Sequence, residues 1–231
     1  MKVIGALVFP LVLCSMTMSV NPFSTDTNLI LEEDILGFNG HTMGLQLGVF
    51  QKELHQPYIR GIFEISKGKL FRYGEPKAPL YQTTLEGQVG YSLPLNRRDV
   101  FRFNPFLGLG AYFQKLLNWD KTALIYLPFG LGVDYHLGDY FTLSAIGTAL
   151  AQIQAFREAR ETGFFKKIPS SIGYRLEIPA SLSLDPYGYV TVGIIPFYEY
   201  VPFGAPPFSP LLNTKTELQQ IGFRVGVDAQ F

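Results

Sequence analysis

Apolar and polar residues alternate one by one through long stretches of this chain. From Tyr81 to Leu93 the odd positions are Tyr81, Thr83, Leu85, Gly87, Val89, Tyr91 and Leu93. The even positions are Gln82, Thr84, Glu86, Gln88, Gly90 and Ser92. A period of two is the period of a β-strand with one apolar and one polar face. Over 170–184, Ile172, Tyr174, Leu176, Ile178, Ala180, Leu182 and Leu184 alternate with Ser171, Gly173, Arg175, Glu177, Ser181 and Ser183. At the C-terminus, Ile221, Phe223, Val225, Val227, Ala229 and Phe231 alternate with Gly222, Arg224, Gly226, Asp228 and Gln230. Less regular versions cover 42–51, 58–65, 100–114, 123–136, 140–151 and 189–200.

Length separates two readings of this pattern. A soluble sandwich alternates too, but globular strands cluster near five or six residues. These segments run about 9 to 15, and a tilted membrane strand needs about 9–11. Tyr81, Tyr91, Phe101, Phe113, Tyr135, Phe141, Tyr174, Tyr200 and Phe231 stand near strand ends, where membrane barrels carry aromatic girdles. Pro105, Pro128, Pro179 and Pro196 fall inside proposed strands and cannot donate to a ladder, so they are expected at bulges or strand ends.

The first nineteen residues read as an export signal. Lys2 precedes an uncharged run from Val3 to Leu13, and Thr17 and Ser19 supply small residues before a cleavage site at Val20. Leu13 stands where a lipoprotein box needs a small residue, so Cys14 is not read as a lipid attachment site. No later stretch has the length of uncharged residues that a spanning helix requires. An exported, apolar chain without such a helix points to a closed barrel, the other fold that satisfies every backbone group in lipid.

The expected fold is all-β, an antiparallel up-and-down transmembrane β-barrel. Nine segments are visible, and bacterial barrels have even strand numbers. Residues 27–36 supply the tenth strand; the alternative is eight strands after an extension over 21–57. The chain thus divides into a leader at 1–19, an N-terminal segment at 20–40 with room for a first strand, and a barrel over 41–231. Tight connections at 96–99, 137–139 and 185–188 are expected to face the periplasm. Long loops at 66–80, 115–122, 152–169 and 201–216 are expected to face outward.

Composition narrows the class further. Apolar residues make up 47 % and charged ones 16 %, with 20 Phe and 13 Tyr. Nineteen basic residues balance nineteen acidic ones, so no global charge points to nucleic acid. A single cysteine excludes a disulfide scaffold.

Three segments resemble the small outer-membrane β-barrels of the OmpA/OmpW type. They are Phe103–Phe113, the glycine-rich strand, turn and return of Leu127–Leu143, and the terminal Ile221–Phe231. The resemblance covers roughly half of the chain beyond the leader. It implies an outer-membrane location in a diderm bacterium and folding by the barrel assembly machinery, with Phe231 as the assembly signal. It does not imply peptidoglycan anchoring, because the periplasmic domain of full OmpA has no counterpart here.

The polar face predicts the lumen contents. Arg60, Glu64, Glu86, Arg102, Asp134, Arg175, Glu177, Glu199, Arg224 and Asp228 are expected to pair as an ionic network filling a narrow barrel. The alternative is a narrow channel for small solutes. The proposed outer loops are basic: Lys67, Lys69, Arg72, Lys77, Lys115, Lys121, Arg157, Arg160, Lys166, Lys167 and Lys215 face only Glu75, Asp120, Glu158 and Glu161. That rim suits the phosphates of lipopolysaccharide. Phe156–Lys167 is expected to form a short amphipathic helix at the interface.

Catalytic patterns are sparse. Asp134-Tyr135-His136 has the D-x-H spacing of omptin-type proteases, yet it lies beside a periplasmic turn and lacks the D-x-D partner. A deacylase of the PagL type needs Ser two residues after His, but His41, His55 and His136 are followed there by Met43, Pro57 and Gly138. Three scattered histidines give no transition-metal site. The expected role is therefore non-enzymatic, in envelope structure or surface interaction, without cofactor, as a monomer. A lipid-modifying enzyme is the third reading.

Overall fold

The computed structural model describes residues 16–30, 37–51, 57–71, 77–96, 100–116, 120–159, 165–185, 187, 189–203 and 216–230. They form ten antiparallel strands. β1 is Thr17–Ile30, β2 Phe38–Gln51, β3 Pro57–Phe71 and β4 Ala78–Tyr91, extended by Leu93–Pro94. β5 is Phe101–Leu116, β6 Asp120–Leu137 and β7 Phe141–Ala159. β8 comes in three pieces, Phe165–Ile168, Ile172–Glu177 and Ala180–Ser183; β9 is Val190–Phe203 and β10 Thr216–Gln230. Each strand pairs with its neighbours in sequence, and β1 pairs with β10 to close the barrel. Closure leaves no strand edge unpaired in lipid.

The tenth strand lies at Thr17–Ile30, not at 27–36. Residues 32–34, whose acidic run made that segment a poor lipid-facing strand, lie outside the described residues. Thr17 pairs with Gln230 and Phe50, so the strand reaches back into the segment read as the end of the leader.

Pro179 falls at a strand end as expected, and pairing lapses there on both sides. Pro105, Pro128 and Pro196 lie inside strands, where pairing lapses on one side and continues on the other. The β4–β5 ladder skips from Gly90↔Phe106 to Leu93↔Phe103 beside Pro105, which still faces Leu131 across β6. The β5–β6 ladder skips beside Pro128, which still faces Leu150. Pro179 separates two pieces of β8, and the same gap accommodates Pro196 of β9. A missing N–H costs one local pairing, and the other ladder holds the strand in register. The true bulge is elsewhere: Ile125 faces Gln154 and Tyr126 faces Gln152, leaving Ile153 as the extra residue.

The end carrying Thr17 and Gln230 has the tight turns. Asn96 Oδ1 accepts from Val100 N at 2.8 Å, Gly138 adopts a φ of 66°, and Asp185 accepts from the amides of Tyr187, Tyr189 and Val190. This is the inner end, and the longest connection, 204–215, is at the other. At the outer end the expected loops are largely strand. β3 runs to Phe71, β5 and β6 reach Leu116 and Asp120, and β7 runs to Ala159. Where Phe156–Lys167 is described it is strand and not helix: Phe156 pairs with Lys167 and Glu158 with Phe165, and 160–164 lie outside the described residues. The alternation continues there, so the backbone keeps its strand pairing above the membrane.

Two zones follow along the barrel axis. Around the inner and middle part the exterior is apolar; Leu85, Leu107, Leu109, Leu176 and Ile178 are all more than half exposed on the bare barrel. Such a wall belongs in lipid. Nearer the outer end the exterior becomes polar, with Asp26, Asn39, His41, Lys67 and Lys69. The lumen changes the opposite way, from buried polar groups to a buried apolar cluster. The strands therefore leave the membrane and become an ordinary water-soluble barrel, apolar inside and polar outside.

Candidate functional site: the lumen and the outer rim

Period two on β3, β4, β8, β9 and β10 turns six charged side chains into the middle of the lumen. Arg175 and Glu199 are cross-strand partners, and Arg175 Nε donates to Glu199 Oε2 at 2.7 Å. Arg175 Nη1 lies 3.5 Å from Glu86 Oε2. Arg224 Nη1 donates to Glu177 Oε1 at 2.6 Å and Nη2 to Glu64 Oε2 at 3.2 Å. Two arginines thus serve four carboxylates, and neutral donors supply more hydrogen bonds. Tyr126 Oη donates to Glu86 at 2.8 Å, Gln88 also donates to Glu86, and Gln46 donates to Glu64 at 3.2 Å. Buried ions persist only when paired and hydrogen-bonded in this way.

The other four predicted lumen residues lie nearer the inner end. Arg102 is cross-strand from Asp134, which accepts from Asn104 Nδ2 at 2.9 Å and Ser144 Oγ at 2.8 Å. Arg60, Asp134 and Asp228 line a cavity of about 220 Å³ with Tyr58 and Gln88. Asp134 and His136 are directed to different partners: His136 Nδ1 meets Thr142 Oγ1 at 2.9 Å.

The outer part of the lumen holds a feature the sequence reading missed. Fourteen buried residues form one apolar cluster, including Leu29, Phe38, Leu70, Leu80, Tyr112, Leu116, Leu124, Phe203 and Leu218. With Ile168 packed against it, every strand contributes. The signal was present in the sequence. On the lumen parity of β3, Arg60, Glu64 and Ser66 give way to Leu70; on β10, Arg224 and Gln220 give way to Leu218. Tyr112 and Tyr126 join the two zones, with rings in the cluster and hydroxyls bonded to Gln114 and Glu86.

Outside, one cross-strand row carries three lysines of the basic rim. Met43 faces Lys67, Lys67 faces Tyr81, Tyr81 faces Lys115, Lys115 faces Lys121, and Lys121 faces Glu158. Lys121 Nζ bonds Glu158 Oε2 at 2.8 Å. Lys67 and Lys69 are exposed strand residues of β3, not loop residues. Lys77 is exposed just before β4, and Lys167 is exposed in β8. Lys166 is in β8 beside it, cross-strand from Arg157. Arg157 does not share the exterior face: the Ile153 bulge reverses the parity of β7, and Arg157 falls opposite the buried Thr122. Arg72, Arg160 and Phe231 lie outside the described residues.

The fold is shared with known membrane barrels. The outer membrane protease OmpT from Escherichia coli superposes with a TM-score of 0.54 at 10 % identity, over 94 % of this chain and 97 % of that one. The translocator domain of autotransporter NalP from Neisseria meningitidis gives 0.52 at 9 %, over 98 % and 93 %. The transport unit of autotransporter AIDA-I from Escherichia coli gives 0.51 at 10 %, over 94 % and 90 %. No protein-family model matches the chain, and no curated protein does. At these identities the likeness is one of fold. The protein is an integral outer-membrane β-barrel.

Proposed function

We propose that this barrel works at its outward-facing exterior, by contact with lipopolysaccharide, in a structural or surface-interaction role. The observation that carries the reading is the row Lys67–Tyr81–Lys115–Lys121 at the upper border of the apolar belt. Lipid A phosphates reside at that depth, and several lysines on adjacent strands meet them together. The apolar cluster across the outer lumen argues for a wall-based role over a channel. On this reading the protein needs no cofactor and acts as a monomer. Its export signal is cleaved near Ser19, leaving Val20 at the head of β1, still paired with Leu47 and Val227. The barrel assembly machinery then inserts it.

Charge reversal tests the rim. Lys67→Glu, Lys69→Glu, Lys115→Glu and Lys121→Glu are combined, and barrels are extracted from outer membranes at moderate salt. Lipopolysaccharide per barrel, measured by mass spectrometry, is expected to fall several-fold, while heat-modifiable migration stays normal. An unchanged ratio in correctly folded barrels would reject the rim.

A further inference from the structure

Three side chains on the outer wall of β1 and β2 belong neither to the lumen nor to the lysine row. Ser24 and Asp26 stand two apart on β1, so the pleat sends both outward. His41 of β2 is the direct cross-strand partner of Asp26, and Ser24 is its diagonal neighbour. His41 Nδ1 lies 3.2 Å from Asp26 Oδ1, and Nε2 lies 2.6 Å from Ser24 Oγ. The two ring nitrogens thus hold different partners. An ionised carboxylate only accepts, so it fixes the proton on Nδ1 and leaves Nε2 as a base toward the serine hydroxyl. That is the division of roles in a serine hydrolase, which is recognised by geometry and not by chain order.

We propose that Ser24, His41 and Asp26 form a hydrolytic triad that cleaves acyl esters of outer-leaflet anionic lipids. Depth on the wall selects the substrate. Level with Ser24 the exterior is Met43 and Phe223, and below it Pro22 and Leu45; above it Ile221 stands opposite Asp26 and then come Asn28, Asn39 and Lys69. Ser24 therefore stands where acyl chains give way to headgroups, the depth of lipid ester bonds. His41 and Asp26 are exposed, so a lipid reaches them from the bilayer without entering the lumen. Beside them lies an open groove of about 480 Å³, lined in part by Asp26, Asn28, Asn39, His41, Phe71 and Tyr198. Lys69 is cross-strand from His41 and Lys67 from Met43, placing two cations one strand from His41 and two from Ser24, on the side where a lipid phosphate would lie.

The chemistry balances with water alone. Ser24 Oγ bonds to the ester carbonyl carbon as its proton passes to His41 Nε2. Asp26 stabilises the imidazolium. The tetrahedral intermediate breaks its bond to the alcohol oxygen, and His41 returns the proton to that oxygen. Water then attacks the acyl-Ser24 carbonyl by the same relay, releasing a carboxylic acid and restoring the hydroxyl. Ser24 and His41 are the catalytic residues, and Asp26 is a positioning residue.

The test uses the full chain in outer-membrane vesicles and in vesicles of defined lipid, one set with lipid A and one with phosphatidylglycerol. A fluorophosphonate probe reports the activated serine by peptide mass spectrometry, and fatty-acid release reports turnover. The wild type is expected to carry the adduct on Ser24 and to release fatty acid in at least one set, which identifies the lipid source. S24A and H41A should lose release by 10³-fold or more while keeping heat-modifiable migration. D26N should lower kcat about 10²- to 10⁴-fold with KM little changed, a split that a purely structural role would not give. No adduct on Ser24 together with no release in either set would overturn the triad, as would release that survives S24A. The triad requires the barrel in its membrane but not the distant lysines of the rim. Lys115→Glu with Lys121→Glu leaves Lys67 and Lys69 in place; loss of lipopolysaccharide binding in that barrel with intact release from phosphatidylglycerol would separate the two.

Discussion

The guanidinium of Arg224 lies 4.0 Å from the ring centre of Phe197 while its Nη1 donates to Glu177 Oε1 at 2.6 Å. One side chain thus couples an aromatic of β9 to carboxylates of β8 and, through Glu64, β3. It ties the lumen across the barrel rather than around it. Arg224→Met strands Glu177 and Glu64 as buried charges without their cation and is expected to cost about 3–5 kcal/mol. Urea titration of the barrel in lipid vesicles measures this. Arg224→Met with Glu177→Gln should recover part of the loss, and equal losses in the single and double variants would contradict the coupling.

Tyr126 reaches Glu86 because Gly110 lets it. A Cβ added at Gly110 would overlap the Tyr126 ring, and the phenol beyond donates to Glu86 at 2.8 Å. The same device recurs with Phe23 over Gly44 and Tyr58 over Gly90. Gly110→Val is expected to displace Tyr126 and destabilise the barrel by about 1–3 kcal/mol. Gly87, one strand away, has open space around an added Cβ, so Gly87→Ala serves as the control and should be close to neutral. Comparable losses at both positions would show that the tyrosine seat is not the cause.

Asp185 closes the β8–β9 turn by accepting from three backbone amides, at 2.9, 3.2 and 2.8 Å. Asp185→Ala leaves those donors to water and is expected to cost about 1–2 kcal/mol, with Asp185→Asn keeping roughly half of the stabilisation. Refolding into detergent, followed by heat-modifiable migration, reads the difference.

Period two made the middle of the barrel legible. Arg175, Glu177, Glu199 and Arg224 fall on the lumen side because each occupies the polar phase of a strand whose other phase is apolar. Where the strands leave the lipid that contrast weakens, and sequence reading failed there. β1 carries Asn21, Thr25 and Thr27 inward and Ser24, Asp26 and Asn28 outward, so neither face announces a membrane strand. The lysines of β3 and β5 suggested loops for the same reason: they are the wet exterior of a strand whose interior has turned apolar. The Ser24–His41–Asp26 cluster escaped because His41 meets its serine across the ladder, 17 positions away in sequence, and no short motif spans such a pair.

Two seals in series predict the electrical behaviour of the barrel. The apolar cluster closes the outer lumen, and the pairs Arg175–Glu199 and Arg224–Glu177 cross its middle. The wild type is expected to show no unitary conductance steps in planar bilayers. Phe38→Ser with Phe203→Ser should wet the outer lumen yet remain silent, because the ionic layer still fills the middle. Arg175→Ala with Glu199→Ala should also remain silent, since the outer cluster is intact. Only the four substitutions together should conduct. Arg224 then remains bonded to Glu64 and Glu177 while Glu86 has lost its arginine, leaving one cation among three carboxylates in the middle layer, so the open path should favour cations. Reproducible steps from the wild type, or from either pair of substitutions alone, would show that the missing layer is not a seal.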